Sequence, residues 1–135
     1  MKRKKLKSFK SLKKHAWDLM SRYVRIRDLG LGCITCGKKI PYNKAQGGHF
    51  VHRNHLDFNF RNINMQCVRC NFHLSGAPGE YAVALDKKYG IGTAESLLAM
   101  KNIIHKFSRT ELEIIIEDLN NKIALLMTDK VMEVK

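Results

Sequence analysis

Two cysteine pairs carry the first chemical signal in this chain. Cys33-Ile-Thr-Cys36 and Cys67-Val-Arg-Cys70 have the same C-x-x-C spacing, with Gly37 to Gln66 between them. Such a spacing presents two thiolates from one tight turn, and two such turns complete a closed tetrahedral site for a structural Zn²⁺. Gly47-Gly48-His49 lies between the pairs and Asn71 follows the second pair directly. A closed four-cysteine site has no open position for substrate, so catalysis would fall to those neighbours and not to the zinc.

The competing reading of the cysteines is disulfides. The opening Met1-Lys2-Arg3-Lys4-Lys5 has no apolar stretch behind it, so the expected location is cytoplasmic, where disulfides are rare. No run approaches transmembrane length, so no membrane partner is expected. Redox C-x-x-C motifs usually occur singly beside a βαβ pattern, which the sequence lacks.

The formal charge is +13, unevenly spread: residues 1–30 carry net +9, residues 31–90 net +5 and residues 91–135 net −1. So basic a surface suits a polyanion, and DNA is the expected partner. The candidate DNA contacts are Lys2, Arg3, Lys4 and Lys5 in a basic arm, Arg22 and Arg25 (with Arg27) on the following helix, and Arg53, Arg61 and Arg69. A solubilising tail and a solvated helix face are the plainer readings of the first two groups.

These residues need elements to position them. Leu12, Ala16, Leu19, Tyr23 and Ile26 recur at helical spacing and predict a helix over 11–30, stopped by Gly30 and Gly32; Trp17 reads as core. The next segment reads as a knuckle, a short strand around Gly48 to His52, a polar loop, a second strand near Ile63 to Gln66, and a second knuckle entering a helix at Cys70 or Asn71. Gly76, Pro78 and Gly79 break that helix, and Tyr81 to Tyr89 is helical again. Thr93 reads as the cap of a helix over 94–106. Ser108-Arg-Thr-Glu111 is a capping box opening a last helix, whose seam is Leu112, Ile116, Leu119, Ile123 and Leu126. That seam suits packing within the chain better than a coiled coil. The predicted class is α+β: a small zinc-stapled core over 31–92, preceded by a basic arm over 1–10 and a helix over 11–30, and followed by a helical pair over 93–128 and a tail over 129–135.

The stretch from Cys33 to Asn71 resembles an HNH, or ββα-metal, nuclease with two zinc knuckles. The resemblance implies roles for three residues: His49 as general base, Asn62 as the middle residue of the motif, and Asn71 as a ligand to a catalytic Mg²⁺ or Mn²⁺. Ala45-Gln46-Gly47-Gly48-His49-Phe50, Gln66-Cys67-Val68-Arg69-Cys70-Asn71, Ser75-Gly76 and Tyr81 through Tyr89-Gly90 are similar to the lambda NinG (Rap) recombination family. This narrower similarity spans roughly residues 15 to 125. It implies a structure-specific DNA endonuclease acting on branched DNA such as Holliday junctions and D-loops. Other readings are an HNH nickase or restriction-like nuclease without junction preference, and a non-catalytic zinc-ribbon DNA-binding protein.

The implied chemistry is coherent. A neutral imidazole accepts a proton near neutral pH, and a hard cation offsets charge on a phosphate. Many HNH nucleases place Asp or His directly before the general base, where this chain has Gly48. The further ligand is then sought among Gln46, His55, Asp57 and His73. Bland roles stand beside the sharp ones: His49 bracing a knuckle, Asn71 capping a helix, and Asn62 bracing its loop by hydrogen bonds. Resolving a four-way junction takes two nicks, so a homodimer joined through the helices of 94–127 is the simplest assembly, and a monomer that nicks one strand of flaps or D-loops is the alternative.

Overall fold

The computed structural model describes residues 6–133, with side chains described to Asp129. Helix α1 runs Phe9–Arg27, starting two residues before the expected span because Ser8 caps it, its hydroxyl accepting from the Ser11 amide. The hairpin is β1 (Ala45–His49) and β2 (Ile63–Cys67), antiparallel, with His49 opposite Ile63 and Ala45 opposite Cys67. The first strand thus lies N-terminal to the expected Gly48–His52, which places His49 at its end.

Register decides what each face meets, because alternate residues point to opposite sides. Ala45, Ile63 and Met65 share one face with Gly47 and His49, and pack with Leu19, Met20 and Val24 of α1. Gly47 is open because Ser21 of α1 approaches its backbone: a Cβ there would meet the Ser21 Oγ at 3.2 Å. Leu119 and Ile123 of α4 (Arg109–Glu133) complete that core, and Leu112 packs on Leu12 and Ala16 of α1. The C-terminal seam is therefore used for packing inside the chain. The capping box forms as expected, the Ser108 hydroxyl accepting from the Glu111 amide at 3.1 Å.

The opposite face of the sheet meets α2 (Pro78–Tyr89). Pro78 opens this helix, since it needs no backbone donor in the first turn. Ahead of it, the segment expected to start a helix at Cys70 is a single wide turn, Arg69–His73. Ser75, Gly76 and Ala77 then have φ of 51°, 89° and 48°. Three consecutive left-handed residues reverse the chain and end any helix from the knuckle. Tyr81, fully buried, reaches back from α2: its hydroxyl donates to the Gly48 carbonyl at 2.8 Å and accepts from Asn64 Nδ2.

The short helix α3 spans Thr93–Ala99, not 94–106. Thr93 is its first residue, and the Asp86 carboxylate accepts from the Ala94 amide in its first turn at 3.1 Å. Met100 is its C-cap, with its carbonyl 2.7 Å from His55 Nε2, and the chain from Asn102 to Phe107 is irregular. Among the described residues, no helix is long and apolar enough to cross a membrane.

A buried charge cluster ties α1, β2 and α2 together. Asp28, 2% exposed, accepts from Arg27 on both oxygens, from Lys88 Nζ at 2.9 Å and from the Met65 amide at 3.1 Å. Asn64 Oδ1 accepts from Arg27, Lys88 and the Tyr89 hydroxyl. Burial works against the Asp28 charge, yet Arg27 and Lys88 hold its carboxyl below the usual range. Arg27 is thus a structural cation and does not join Arg22 and Arg25 on an outward face.

Candidate active site and cysteine metal centre

The four cysteine sulfurs converge. The Sγ atoms of Cys33, Cys36, Cys67 and Cys70 all lie within 4.8 Å of one another, and Cys36 and Cys67 are 3.8 Å apart. Tetrahedral zinc with bonds of about 2.3 Å places its sulfurs about 3.8 Å apart. The chain around them is set for this: the Cys70 amide points at Cys67 Sγ, and the Cys33 and Ile34 amides donate to the Lys38 and Met65 carbonyls. Thr35 accepts from Gln66 Nε2 and lies 3.2 Å from Cys33 Sγ, so its hydroxyl proton is directed at the sulfur.

The charge logic of the cluster also calls for a cation. Burial opposes the Cys33 thiolate, but hydrogen bonds from Thr35 and nearby amides bring its pKa down to about 6. Burial and the neighbouring thiols push Cys70 up to about 12, and burial raises Cys36. Four thiols this close cannot all ionise by themselves, whereas a bound zinc lets each one do so. The donor set therefore fits a structural metal such as zinc.

His49 stands at the other end of the hairpin from Cys67, on the same face of the sheet. Its Nε2 lies 2.9 Å from Asp57 Oδ1, and its ring stacks on Trp17 of α1 with centroids 4.6 Å apart and planes 16° from parallel. A carboxylate only accepts, so Nε2 carries the proton and Nδ1 keeps its lone pair. His52 lies beside His49, with centroids 5.5 Å apart. Burial lowers the His52 pKa, which favours its neutral ring.

Two connected clefts open here. One is lined by Trp17, His49, His52, Arg53, Asn54 and Asp57. The other shares Trp17, His49 and His52 and continues to Arg25, Gln46 and Asn71 along the free edge of β1. Asn71 Nδ2 donates to Gln46 Oε1 at 2.8 Å, so the two amides face each other across that edge. The Arg25 guanidinium lies over the Tyr42 ring at 4.6 Å.

The expected site residues thus divide. His49, Asp57, Gln46 and Asn71 gather around the joined clefts. His55 turns away to the Met100 carbonyl, and His73 is exposed on the wide turn, edge-on to Phe72. Asn62 is fully buried: its Oδ1 accepts from the Val51 amide, and its Nδ2 donates to the Val51 and Leu56 carbonyls. It holds the loop that carries Asp57 and has no group free for substrate. Of the basic candidates, Arg25 and Arg53 line the clefts. Arg22 and Arg69 are exposed elsewhere, Arg61 sits over Tyr89, and Lys2, Arg3, Lys4 and Lys5 lie outside the described residues.

Trp17 packs against the core as its helical spacing suggests, and it also lines the site, a second role that spacing alone does not mark. Gly48 has a spatial explanation. A Cβ there would lie 1.8 Å from Gln66 Oε1, so no side chain, and no extra ligand, can occupy that position as packed.

Comparison with known proteins supplies the relationship. Protein ninG of Escherichia phage lambda is 38% identical over 80 residues, covering 57% of this chain and 39% of that protein. Protein ninG of Salmonella phage P22 is 34% identical over 87 residues, 62% of this chain and 42% of that protein. Protein ninG of Enterobacteria phage H19B is 30% identical over 113 residues, 82% and 55% respectively. The matched region is thus about half or less of each relative's length. No solved structure matches. The family model described as bacteriophage lambda NinG protein matches residues 1–129, nearly the whole chain, and the chain belongs to the NinG family.

Proposed function

We propose that this protein is a metal-dependent endonuclease of HNH type that hydrolyses phosphodiesters in branched DNA, with His49 as general base. The observation that carries the reading is the Asp57–His49–Trp17 arrangement inside a basic cleft beside the cysteine centre.

Each residue has a definable part. Asp57 accepts the Nε2 proton and so fixes the tautomer that leaves His49 Nδ1 basic. Trp17 holds the ring plane by stacking, and Tyr81 anchors the strand end through the Gly48 carbonyl. In the reaction, a water between His49 and the phosphate loses its proton to Nδ1 as its oxygen attacks phosphorus and the bond to the leaving oxygen breaks. Arg25 and Arg53 hold phosphates on either side, while the neutral His52 can hydrogen-bond without adding charge.

The donors for a catalytic cation are sparse. Among the described residues, only the cysteines bring three or more His, Cys, Asp or Glu atoms within reach of one ion. Mg²⁺ keeps several waters and takes one or two carboxylates, and Asp57 is the carboxylate lining these two clefts, with the paired Gln46 and Asn71 amides in the adjoining one. When bound the ion would offset negative charge on the phosphate. The cysteine cluster with zinc would hold β2 and the Asn71 turn in register with His49.

The preference for branched DNA rests on the family resemblance, and the charge of +13 supports DNA as the polyanion. The test is a nicking assay on a four-way junction and a linear duplex at equal salt, with Mg²⁺ or Mn²⁺ added or omitted. Metal-dependent cuts favouring the junction support the reading. Equal cutting of both removes the junction preference, and no cutting with any divalent ion contradicts the nuclease assignment.

A further inference from the structure

A groove with a volume of about 660 Å³ opens beside the His49 cleft. It lies between the start of α1 and the irregular 101–107 segment. Arg53 and Asn54 line both this groove and the His49 cleft, so the two form one continuous path. Its cations are Lys13, Arg53, Lys101 and Lys106, and no carboxylate lines it. Phe9, Ile103 and Ile104 also line it and are 47%, 56% and 88% exposed.

Charge alone would suit any DNA. Duplex DNA presents phosphates outward and stacks its bases inside, so exposed phenyl and sec-butyl groups gain nothing from it. An unpaired strand presents phosphates for the lysines and base faces for the apolar floor together. We propose that this groove seats a single-stranded DNA segment leading away from the His49 cleft, such as the unpaired arm of a flap or D-loop. This deepens the reading of the His49 cleft as a nuclease site and rests on it.

The test is fluorescence anisotropy with a labelled oligothymidine and a duplex of equal length, without divalent cation, so that binding is read apart from cleavage. Lys101→Glu/Lys106→Glu should lower single-strand affinity about tenfold or more and flatten its salt dependence, while duplex affinity falls far less. Phe9→Ala/Ile104→Ser keeps every charge and should still lower single-strand affinity about fivefold or more. Circular dichroism and zinc content of each variant establish that it is folded. Equal losses for both DNAs, or unchanged single-strand binding in either folded variant, overturn the groove assignment. Groove-dependent binding by a protein that never cuts DNA supports the groove and refutes only the nuclease reading. Cleavage with no groove dependence of binding does the reverse.

Discussion

Replacing Gly48 by alanine tests how tightly the strand carrying His49 is packed. The added methyl would sit 1.8 Å from Gln66 Oε1, 2.6 Å from its Cδ and 2.9 Å from its Cγ. Gln66 is fully buried, and its Nε2 is held by the Gly76 carbonyl at 3.0 Å and by Thr35. The side chain therefore cannot swing into solvent, and moving it breaks these bonds. Overpacking of this kind costs about 1–3 kcal/mol. Leaving the buried amide and the Gly76 carbonyl without partners adds about 1–3 kcal/mol. The expected loss is about 2–5 kcal/mol, read as a shift in the urea midpoint of the zinc-loaded protein at unchanged slope. Gln66→Ala should cost less than about 2 kcal/mol, because Gln66 Oε1 has no partner in the native state and removing it relieves that penalty. In the double variant the methyl enters the vacated space, so the two losses should fall short of additive by about 2 kcal/mol. A Gly48→Ala protein within about 0.5 kcal/mol of wild type, or strict additivity in the cycle, refutes the packing argument.

Asp28→Ala leaves the Arg27 and Lys88 cations buried without their carboxylate and should cost about 3–5 kcal/mol in chemical denaturation. Because the folded Asp28 pKa is depressed, its contribution is present above the unfolded value, about 3.9, and fades as pH falls through the lower folded value; the wild-type advantage over Asp28→Ala should shrink in that acid window. Cys67→Ser should lose bound zinc and unfold the hairpin, by elemental analysis and circular dichroism, since metal binding there is coupled to folding; a zinc-free but fully folded variant contradicts it. Deleting residues 2–5 removes four basic residues and no acid, so DNA affinity should fall and its salt slope become shallower with structure preference unchanged; an identical slope means the arm makes no phosphate contacts. Trp17→Ala should reduce cleavage with a smaller effect on DNA binding, measured as separate kcat and KM values, because Trp17 positions His49 and leaves the phosphate-binding arginines in place.

What could be read ahead of the structure was local chemistry. The C-x-x-C pairs name their own partners, and His49 and Asn71 take their meaning from their places beside them. The long helices α1 and α4 were legible from period, and the short seam pointed to packing within the chain without naming α1 as its partner. Long-range pairings were not legible. Asp28 meets Lys88 and Asn64 meets Tyr89 across sequence separations of 60 and 25, and no local pattern marks those partners. Asp57 stood among four candidate metal ligands, with no sign that it would pair with His49. The 101–107 segment looked helical by composition, yet Met100 ends α3 and His55 lies at its carbonyl. A stretch from the net-negative end of the chain thereby becomes the wall of the basic groove. Gly48 read as a missing ligand when the space it leaves is filled by Gln66.

The measurement that bears most directly on the whole account is junction cleavage by His49→Ala at saturating DNA with Mg²⁺ or Mn²⁺, run beside wild type. Zinc content, circular dichroism and junction affinity are measured on the same preparations. The account predicts that cleavage falls by at least about 100-fold, the scale of a lost general base, while zinc, fold and binding stay at wild-type levels. Cleavage at the wild-type rate by folded, zinc-loaded His49→Ala protein would contradict it.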